Sequence, residues 1–170
     1  YYSEIMKNDL TEGRMAFEKQ LDIMCAGAFS VSNDSDLKWV YFLDGLKDGD
    51  NNIAALIRCN DMLRQTFADS EHYQNYSVIM KNELIFRKSG MVVGDKFFYD
   101  NYCTYQNTDF ETWRKQSFES NTWQLFPLEE IDTGERTFQA MTFSYPVRNY
   151  IQQEQEANAV VQFLLSKENL

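Results

Sequence analysis

Hydrophobic residues near the start of the chain recur with the period of an α-helix. Within residues 1–29 they form one apolar stripe at steps of three, four or seven, namely Met6, Leu10, Phe17, Leu21, Met24 and Ala28. The pattern predicts one long helix, which would span roughly 40 Å at the helical rise of ~1.5 Å per residue. Because one sheet needs less than that length, we expect one end to project toward a membrane anchor or along a partner helix. The alternative is that the whole stripe packs on the chain's own domain.

The next segment keeps the helical period in two shorter stretches. Residues 30–36 and 47–52 are polar breaks, the second of them rich in Asp, Asn and Gly. After each break, apolar positions at helical spacing predict a helix, over residues 37–46 and 53–68. We therefore expect a helical N-terminal part before any sheet begins.

From residue 76 onward the hydrophobic period becomes that of a β-strand. Two β-type runs at 77–80 and 83–87 are separated by Lys81-Asn82, and a two-residue spacer of this kind predicts a tight hairpin. Gly90 and Gly94 then bracket a further short apolar run. The hairpin and this run would form the first part of a sheet.

A polar-aromatic loop interrupts the strand pattern, and a short helix follows it. The loop carries Phe97, Phe98, Tyr99, Tyr102 and Tyr105. Asp109 predicts the N-cap of the helix, which ends near residue 117 and brings in Trp113. A small sheet followed by such a loop and helix is typical of a ligand-sized pocket built over a sheet.

Three later segments alternate again and predict strands over residues 122–126, 137–145 and 158–166. Pro127 is expected to break regular pairing after the first of them, with residues 128–135 as a connection. Residues 146–157 form a polar turn rich in Gln and Glu.

The order of elements predicts an α+β fold: a long N-terminal helix and a mostly antiparallel sheet of about five strands, with helices packed on it. We expect a single domain over residues 1–170, with the leading helix at 1–29, two short helices within 30–72, and the sheet with its inserted loop and helix at 73–166.

Composition narrows the range of partners. The chain has 170 residues, 44% of them hydrophobic and 15% aromatic, which favours a packed domain over disorder. Its net charge of −10 repels phosphate backbones, so we expect no nucleic acid partner. The three cysteines show no Cys-x-x-Cys spacing; buried free thiols are favoured, although a Cys25–Cys59 bridge is conceivable.

Sequence signals for catalysis, metals or cofactors are weak. Residues 48–52 resemble the first half of a calcium loop, but Ile53 stands where the loop needs glycine and Cys59 where it needs an acid. His72 is the only histidine, and no Gly-x-Ser-x-Gly turn supplies a nucleophile. We therefore expect no enzyme activity, no catalytic residue, no metal site and no cofactor.

The aromatic residues are the best candidates for binding. Tyrosine offers an apolar face and a hydroxyl, which suits sites for small polar molecules, and an arginine could hold a carboxylate or sulfonate by bidentate contact. The predicted ligand-binding residues are Arg87, Tyr99, Tyr102, Tyr105, Trp113, Trp123 and Tyr145. The alternative is that the rings only seal the sheet and that Arg87, like Arg148, is a surface charge.

Several segments together resemble a known family. They are the long leading helix before short helices, the strand pair VIMKNELIF, the loop GDKFFYDNY, the helix DFETWRKQSF, and the late strands TFQAMTFSYPV and AVVQFLLS. The chain resembles the extracellular Cache-type (PAS-like) sensor regions of bacterial transmembrane receptors. It is most similar to those joined to a cytoplasmic helix-turn-helix transcriptional regulator of the arabinose-regulator class.

The resemblance implies an extracytoplasmic domain that binds a small molecule over a PAS-like sheet and signals through its N-terminal helix. It also implies an extracellular location in a cell-membrane protein, and pairing with a second copy through the leading helix. The amino-acid-binding pattern of such domains does not appear, since Trp113-Arg114 has the reverse order of its Arg-to-Trp element. The alternative function is a protein–protein interaction or dimerisation module without a small-molecule ligand.

Overall fold

The chain folds as an α+β structure with a long N-terminal helix and an antiparallel sheet, which confirms the predicted class. The computed structural model describes residues 2–41, 49–67, 73, 75–148 and 156–169. The helices are α1 (Tyr2–Ser32), α2 (Ser35–Val40), α3 (Gly49–Phe67), α4 (Asp95–Tyr102) and α5 (Phe110–Glu119), with a 3-10 turn at Lys167–Asn169. The strands are β1 (Asn75–Met80), β2 (Leu84–Arg87), β3 (Gly90–Val93), β4 (Thr104–Tyr105), β5 (Gln124–Asp132), β6 (Thr137–Val147) and β7 (Ala159–Ser166).

The sheet has seven strands in the order β3-β2-β1-β7-β6-β5-β4, so the prediction of about five strands was wrong. The first and last long strands, β1 and β7, pair side by side near its centre. The additional strands, β3 and β4, are short and lie at the two edges. A two-residue strand such as β4 is too short to show alternation in the sequence.

Two predictions in the second half of the chain are corrected. The aromatic segment predicted as a loop contains helix α4. Phe98 and Tyr102 lie one helical turn apart in it, so their rings share one face of the helix. Strand β5 does not end at Phe126 but continues to Asp132, so residues 128–132 are not a connection. A bulge between Phe126 and Glu129 accommodates Pro127 within the strand, so the pairing irregularity predicted at this proline is present.

The predicted helix boundaries shift by several residues. Helix α1 continues to Ser32 rather than ending at residue 29, and α3 begins at Gly49, inside the segment predicted as a polar loop. Helix α2 begins at Ser35, with Asp34 as its N-cap. The predicted continuation of α2 over residues 42–46 lies outside the described residues.

The two faces of the sheet are covered by different helices. On the three-helix face, formed by the strand side chains that pack beneath α1, α2 and α3, the buried set includes Val78, Phe86, Phe143, Val161 and Phe163. On the two-helix face, formed by the strand side chains beneath α4 and α5, it includes Ile79, Ile85, Ala140, Val160 and Leu164. Successive residues of each strand alternate between the two faces.

Helix α1 packs on the sheet through its C-terminal half alone. Met24, Ala28 and Val31 are buried in the core of the three-helix face. All described side chains from Glu4 to Ala16 are exposed, including Met6 at 66% and Leu10 at 73%. The apolar stripe of this helix therefore continues beyond the part that packs on the sheet.

Candidate ligand pocket on the two-helix face

An aromatic cluster fills much of the space between the sheet and helices α4 and α5. Trp113 is 0% exposed, and its ring lies 5.4 Å from that of Tyr99 and 6.1 Å from that of Phe98. The Tyr105 ring stacks on Tyr99 at 6.2 Å. Tyr99, Tyr105 and Trp113, three of the predicted ligand-binding residues, are thus packed as core on this face.

Hydrogen bonds fix the hydroxyl groups of this cluster. Tyr99 donates to the backbone carbonyl of Thr108, and the Tyr105 hydroxyl lies 2.7 Å from Oγ1 of Thr142 on the sheet. The Nε1 of Trp113 is buried and has no hydrogen-bond partner among the described residues. The hydroxyl groups of the cluster are therefore engaged within the protein, and the cluster offers few polar atoms to a ligand.

A pocket of about 90 Å³ lies beside the cluster on the same face. Its walls come from β1, the end of β2 and its turn, β7, the C-terminal half of α4, and the turn between β5 and β6. Most of the lining side chains are polar, and the set includes Asn75, Ser77, Arg87, Lys88, Tyr102, Thr133, Glu135 and Gln162. The predicted ligand-binding residues that line the pocket are Arg87 and Tyr102.

Strand register explains why polar groups gather here. Arg87 pairs with Ser77, Ser77 with Gln162, and Gln162 with Ser144, so four adjacent strands place a polar residue at one level. We call Arg87, Ser77, Gln162 and Ser144 the polar rung. The neighbouring level along β2, β1 and β7 carries isoleucine and valine instead. The polar rung therefore borders an apolar level on one side, whereas on its other side Asn75 and Thr142 flank Leu164.

The middle of the polar rung is held by buried hydrogen bonds. Gln162 Nε2 donates to Ser117 Oγ on α5 at 2.8 Å and to Ser144 Oγ at 3.2 Å. Since a buried polar group without partners costs free energy, these bonds make the glutamine tolerable inside the sheet. They also fasten α5 over one side of the pocket.

Arg87 lies at the mouth of the pocket, against Tyr102. Its guanidinium carbon is 3.8 Å from the centre of the Tyr102 ring, a cation–π contact, and it donates to the hydroxyl of Ser89. This contact joins the β1–β2 hairpin to the end of α4. The two residues that the sequence placed in the site are thus direct neighbours.

Charge in the pocket is weakly positive. Arg87, Lys88 and Glu135 are its charged lining residues, which gives a net charge of +1. Neither Arg87 nor Lys88 forms an ion pair with any residue that the structure describes. Cys103 also lines the pocket, but burial raises the pKa of its thiol to about 12, so it is neutral at physiological pH. The groups present can hydrogen-bond a guest and compensate a negative charge.

The remaining predicted residues lie elsewhere. Trp123 stacks on Phe143 at 5.4 Å on the three-helix face and is 44% exposed, and Tyr145 packs against the core of that face. Arg148 donates to the carbonyl of Ser120 at 2.7 Å and so holds the end of α5. None of these three residues lines the pocket.

Sequence reasoning missed most of the polar lining residues, among them Gln162, Ser77 and Asn75. A signal existed, because Gln162 is the lone polar residue within the apolar run of β7. Ser77 and Asn75 gave no comparable signal, since small polar residues are common at the start of a strand. Only the register between β1 and β7 brings them together with Gln162.

The other kinds of site that the sequence raises are metal sites, disulfides and membrane spans. The described residues contain no group of three His, Cys, Asp or Glu side chains that could hold a metal ion. Gly49 and Asp50 of the calcium-like segment lie in α3, whereas Asp48 and His72 fall outside the described part of the chain. The three cysteines are free thiols. Among the described helices, none combines the length and the apolar character that a membrane span requires.

No protein family model matches the sequence. No curated protein matches it significantly. The pocket and its polar rung are therefore the basis on which a function is proposed.

Proposed function

We propose that this chain is the extracellular ligand-sensing domain of a bacterial transmembrane receptor, of the Cache or PAS-like type. It binds a small molecule in the pocket on the two-helix face and transmits occupancy through α1. The observation that carries the proposal is the polar rung beneath α4 and α5. Four strands supply its residues, and one of them, Arg87, is positioned by a ring from the covering helix.

The architecture supports this proposal in two further ways. The sheet is antiparallel, with β1 and β7 adjacent, and one of its faces is left to α4 and α5. The long helix α1 packs on the opposite face and extends beyond it. A ligand that favours one packing of the pocket would bias the position of α1 through the sheet, by its differential affinity for that packing and no more.

A thermal-shift screen of small polar metabolites tests the binding half of the proposal. A ligand present at a hundred times its dissociation constant should raise the melting temperature by roughly 5–10 °C for a chain of this size. Ser77→Val places a branched apolar side chain against the pocket and should abolish the shift. Ser30→Val, an exposed position on α1, is the matched control and should leave the shift intact.

The same pair of variants defines the contrary result. A screen without any stabilising compound removes the binding half of the proposal. A ligand whose shift survives Ser77→Val binds elsewhere, and the pocket is then not the sensing site.

Homodimerisation through α1 is a second candidate function, and one specific observation favours it. The stripe that is buried at Met24 and Ala28 continues to Leu10 and Met6, where the side chains are exposed. A continuous apolar stripe on a projecting helix is suited to pairing with a second copy. In this alternative the sheet binds nothing.

Light scattering after size-exclusion chromatography distinguishes a dimer paired through α1 from a monomer. We expect a concentration-dependent dimer that Leu10→Glu abolishes, because the charge falls in the middle of the exposed stripe. Asn8→Glu adds the same charge at an exposed position off the stripe and should leave the dimer intact. A monomer at all concentrations, or a dimer indifferent to Leu10→Glu, counts against pairing through α1.

A further inference from the structure

We propose that the outer edge of strand β3 pairs with the same edge of a second copy of the chain, in antiparallel orientation. The sheets of the two copies then form one continuous sheet across a two-fold axis. This contact surface is separate from helix α1 and goes beyond the sensing function, on which it does not depend. The backbone, the side chains and the charges of the edge each support it.

The backbone of β3 presents hydrogen-bonding groups along its outer edge. β3 is the last strand on its side of the sheet, and no segment that the structure describes pairs with its outer edge. The Gly94 N–H donates to the carbonyl of Glu83 at 2.8 Å, so alternate residues of the strand bond inward, to β2. Met91 and Val93 are the residues in between, and their N–H and C=O groups point outward. Such a row of groups is a template for a further strand.

The side chains along this edge are apolar and exposed. Strand β3 contains neither a charged residue nor a proline, which are the residues that commonly protect a sheet edge from pairing. Met91 lies opposite Phe86 on β2, and Val93 lies opposite Leu84 in the same way. Both β2 residues are buried in the core of the three-helix face, whereas Met91 is 38% and Val93 51% exposed. The helices of that face therefore cover β2 but leave β3 open.

An antiparallel pairing centred on Val92 uses all of these groups. Met91 of each copy then lies opposite Val93 of the other, and each such pair exchanges two backbone hydrogen bonds. Side chains of directly opposite residues are neighbours on one face of a sheet, so the exposed methionine and valine cover each other. The pairing satisfies the outward backbone groups and shields the apolar side chains at the same time.

Charges of opposite sign lie at the two ends of the edge and favour a second copy as its occupant. Arg87 and Lys88 lie at the turn that begins β3, whereas Glu83 lies beside Gly94 at its end. Neither the two basic residues nor Glu83 forms an ion pair with any residue that the structure describes. In an antiparallel pair the beginning of one strand lies beside the end of the other. The basic turn of each copy therefore approaches Glu83 of the other, and the edge is complementary to itself.

Sedimentation equilibrium over a range of concentrations tests the pairing. A short strand edge buries less than the ~1,600 Å² of a standard interface, so we expect a weak dimer with a dissociation constant of roughly 10–100 μM. Val93→Lys places a charge in the paired edge and should weaken association by about ten-fold or more. Leu128→Lys adds the same charge at an exposed apolar position of β5, in the other half of the sheet, and is the matched control that should change nothing.

Val93→Pro is the second variant, should Val93→Lys fail to fold. Proline removes the N–H that points outward from Val93, and no hydrogen bond to β2 depends on that N–H. This variant should weaken association as well. Association that is indifferent to both Val93 variants overturns the pairing through β3.

Charge reversal tests the antiparallel arrangement. Lys88→Glu and Glu83→Lys each bring like charges together in the dimer, and each should weaken association by roughly 3- to 10-fold. The double variant Lys88→Glu/Glu83→Lys makes the two charges opposite again and should restore association to nearly that of the parent. Residues 83 and 88 lie at opposite ends of β2 within one copy, so the restoration reports a contact between copies. Single variants without effect, or a double variant that stays weak, contradict this arrangement.

Pairing through β3 and pairing through α1 fail in different ways. A dimer that Leu10→Glu abolishes and Val93→Lys leaves intact is held by α1, and the edge pairing is then wrong. A chain that stays monomeric up to roughly 1 mM excludes both contact surfaces. Neither result bears on small-molecule binding, which the thermal-shift screen measures independently.

Discussion

The two faces of the sheet are formed by the same strands but differ in their packing and polarity. On the three-helix face, alternating residues of β1, β2, β6 and β7 form a continuous apolar layer that includes Val78, Phe86, Phe143 and Phe163. On the two-helix face, the same four strands carry the polar rung, and a pocket remains beside the aromatic cluster. The comparison indicates that stability is concentrated on one face, which allows the other to keep polar groups and unfilled space.

The largest change in unfolding free energy that tests this comparison is expected at two adjacent leucines of β7. Leu165 is buried on the three-helix face, whereas Leu164 borders the pocket on the other. Leu165→Ala should lower the free energy of unfolding by about 3–5 kcal/mol, because it opens a closed cavity. Leu164→Ala should cost less, about 2–3 kcal/mol, since its space joins a pocket that water can enter.

Urea denaturation of both leucine variants provides the measurement, and the unfolding slope should be the same in each. The two substitutions are chemically identical and lie next to each other in one strand, so each serves as the control for the other. Equal losses, or a larger loss for Leu164→Ala, would contradict the idea that the three-helix face carries more of the stability.

Gly134 gives the next largest expected effect, on the pocket side. It adopts a φ of +79°, and a Cβ at this position would lie 2.3 Å from the backbone carbonyl oxygen of Asn101 in α4. Gly134→Ala should therefore lower the free energy of unfolding by about 1–3 kcal/mol and move the β5–β6 turn away from α4.

The control for this substitution is Gly13→Ala in the exposed part of α1, where nothing lies within 4 Å of the added Cβ. In a helix this change should stabilise by roughly 0.5–1 kcal/mol, the opposite sign. Melting curves of the two variants test both signs together. A Gly134→Ala variant as stable as the parent would show that the turn is not held against α4.

Local patterns in the sequence predicted the elements better than they predicted the site. The β1–β2 hairpin and the N-cap at Asp109, which accepts from the Thr112 N–H at 2.8 Å, depend on neighbouring residues alone and were confirmed. The hairpin loop has three residues, 81–83, rather than the two predicted, and Glu83 in it adopts a positive φ of 69°. The two-residue edge strand β4 and helix α4 were missed, because each has too few residues to display a period.

The membership of the pocket could not be predicted, because it depends on register between distant strands. Tyr145 and Ser144 are neighbours in β6, yet only Ser144 faces α5, since successive residues of a strand point to opposite faces. Pairing with β7, through Gln162 opposite Ser144, decides which of the two residues lies on the two-helix face. Aromatic character suggested Tyr145 and Trp123, but that property carries no information about the face.

Tyr105 allows a smaller test of the two-helix face, with a dependence on pH. Its hydroxyl is buried and bonded to Thr142, so Tyr105→Phe should cost about 0.5–1.5 kcal/mol at neutral pH. Burial raises the pKa of Tyr105 well above its ordinary value. Because this pKa is higher in the folded chain than in the unfolded chain, the contribution of the Tyr105 hydroxyl to the free energy of unfolding is intact below the unfolded pKa, near 10. The contribution is lost as the pH rises beyond that value.

Urea denaturation of the parent and Tyr105→Phe at pH 8 and pH 11 measures this effect. The parent should lose stability more steeply with rising pH, by at most about 1.4 kcal/mol per pH unit for this group, so the difference between the two chains should shrink or reverse. A constant difference over this range would indicate that the Tyr105 hydroxyl ionises equally in the folded and unfolded chain.

Tyr76 offers the smallest expected effect and the closest comparison with Tyr105. Its hydroxyl is buried on the three-helix face and has no hydrogen-bond partner among the described residues. Burial raises the pKa of Tyr76 to about 12, which keeps the phenol neutral. Because an unpaired buried hydroxyl contributes no net hydrogen bond, Tyr76→Phe should leave the free energy of unfolding unchanged or increase it slightly, by less than about 1 kcal/mol.

Tyr76→Phe and Tyr105→Phe remove the same atom, one on each face of the sheet. The losses of unfolding free energy in the two variants should therefore differ only through the bond to Thr142. A loss for Tyr76→Phe as large as that for Tyr105→Phe would mean that both faces satisfy their phenols equally, and hydroxyl pairing would no longer distinguish the two faces.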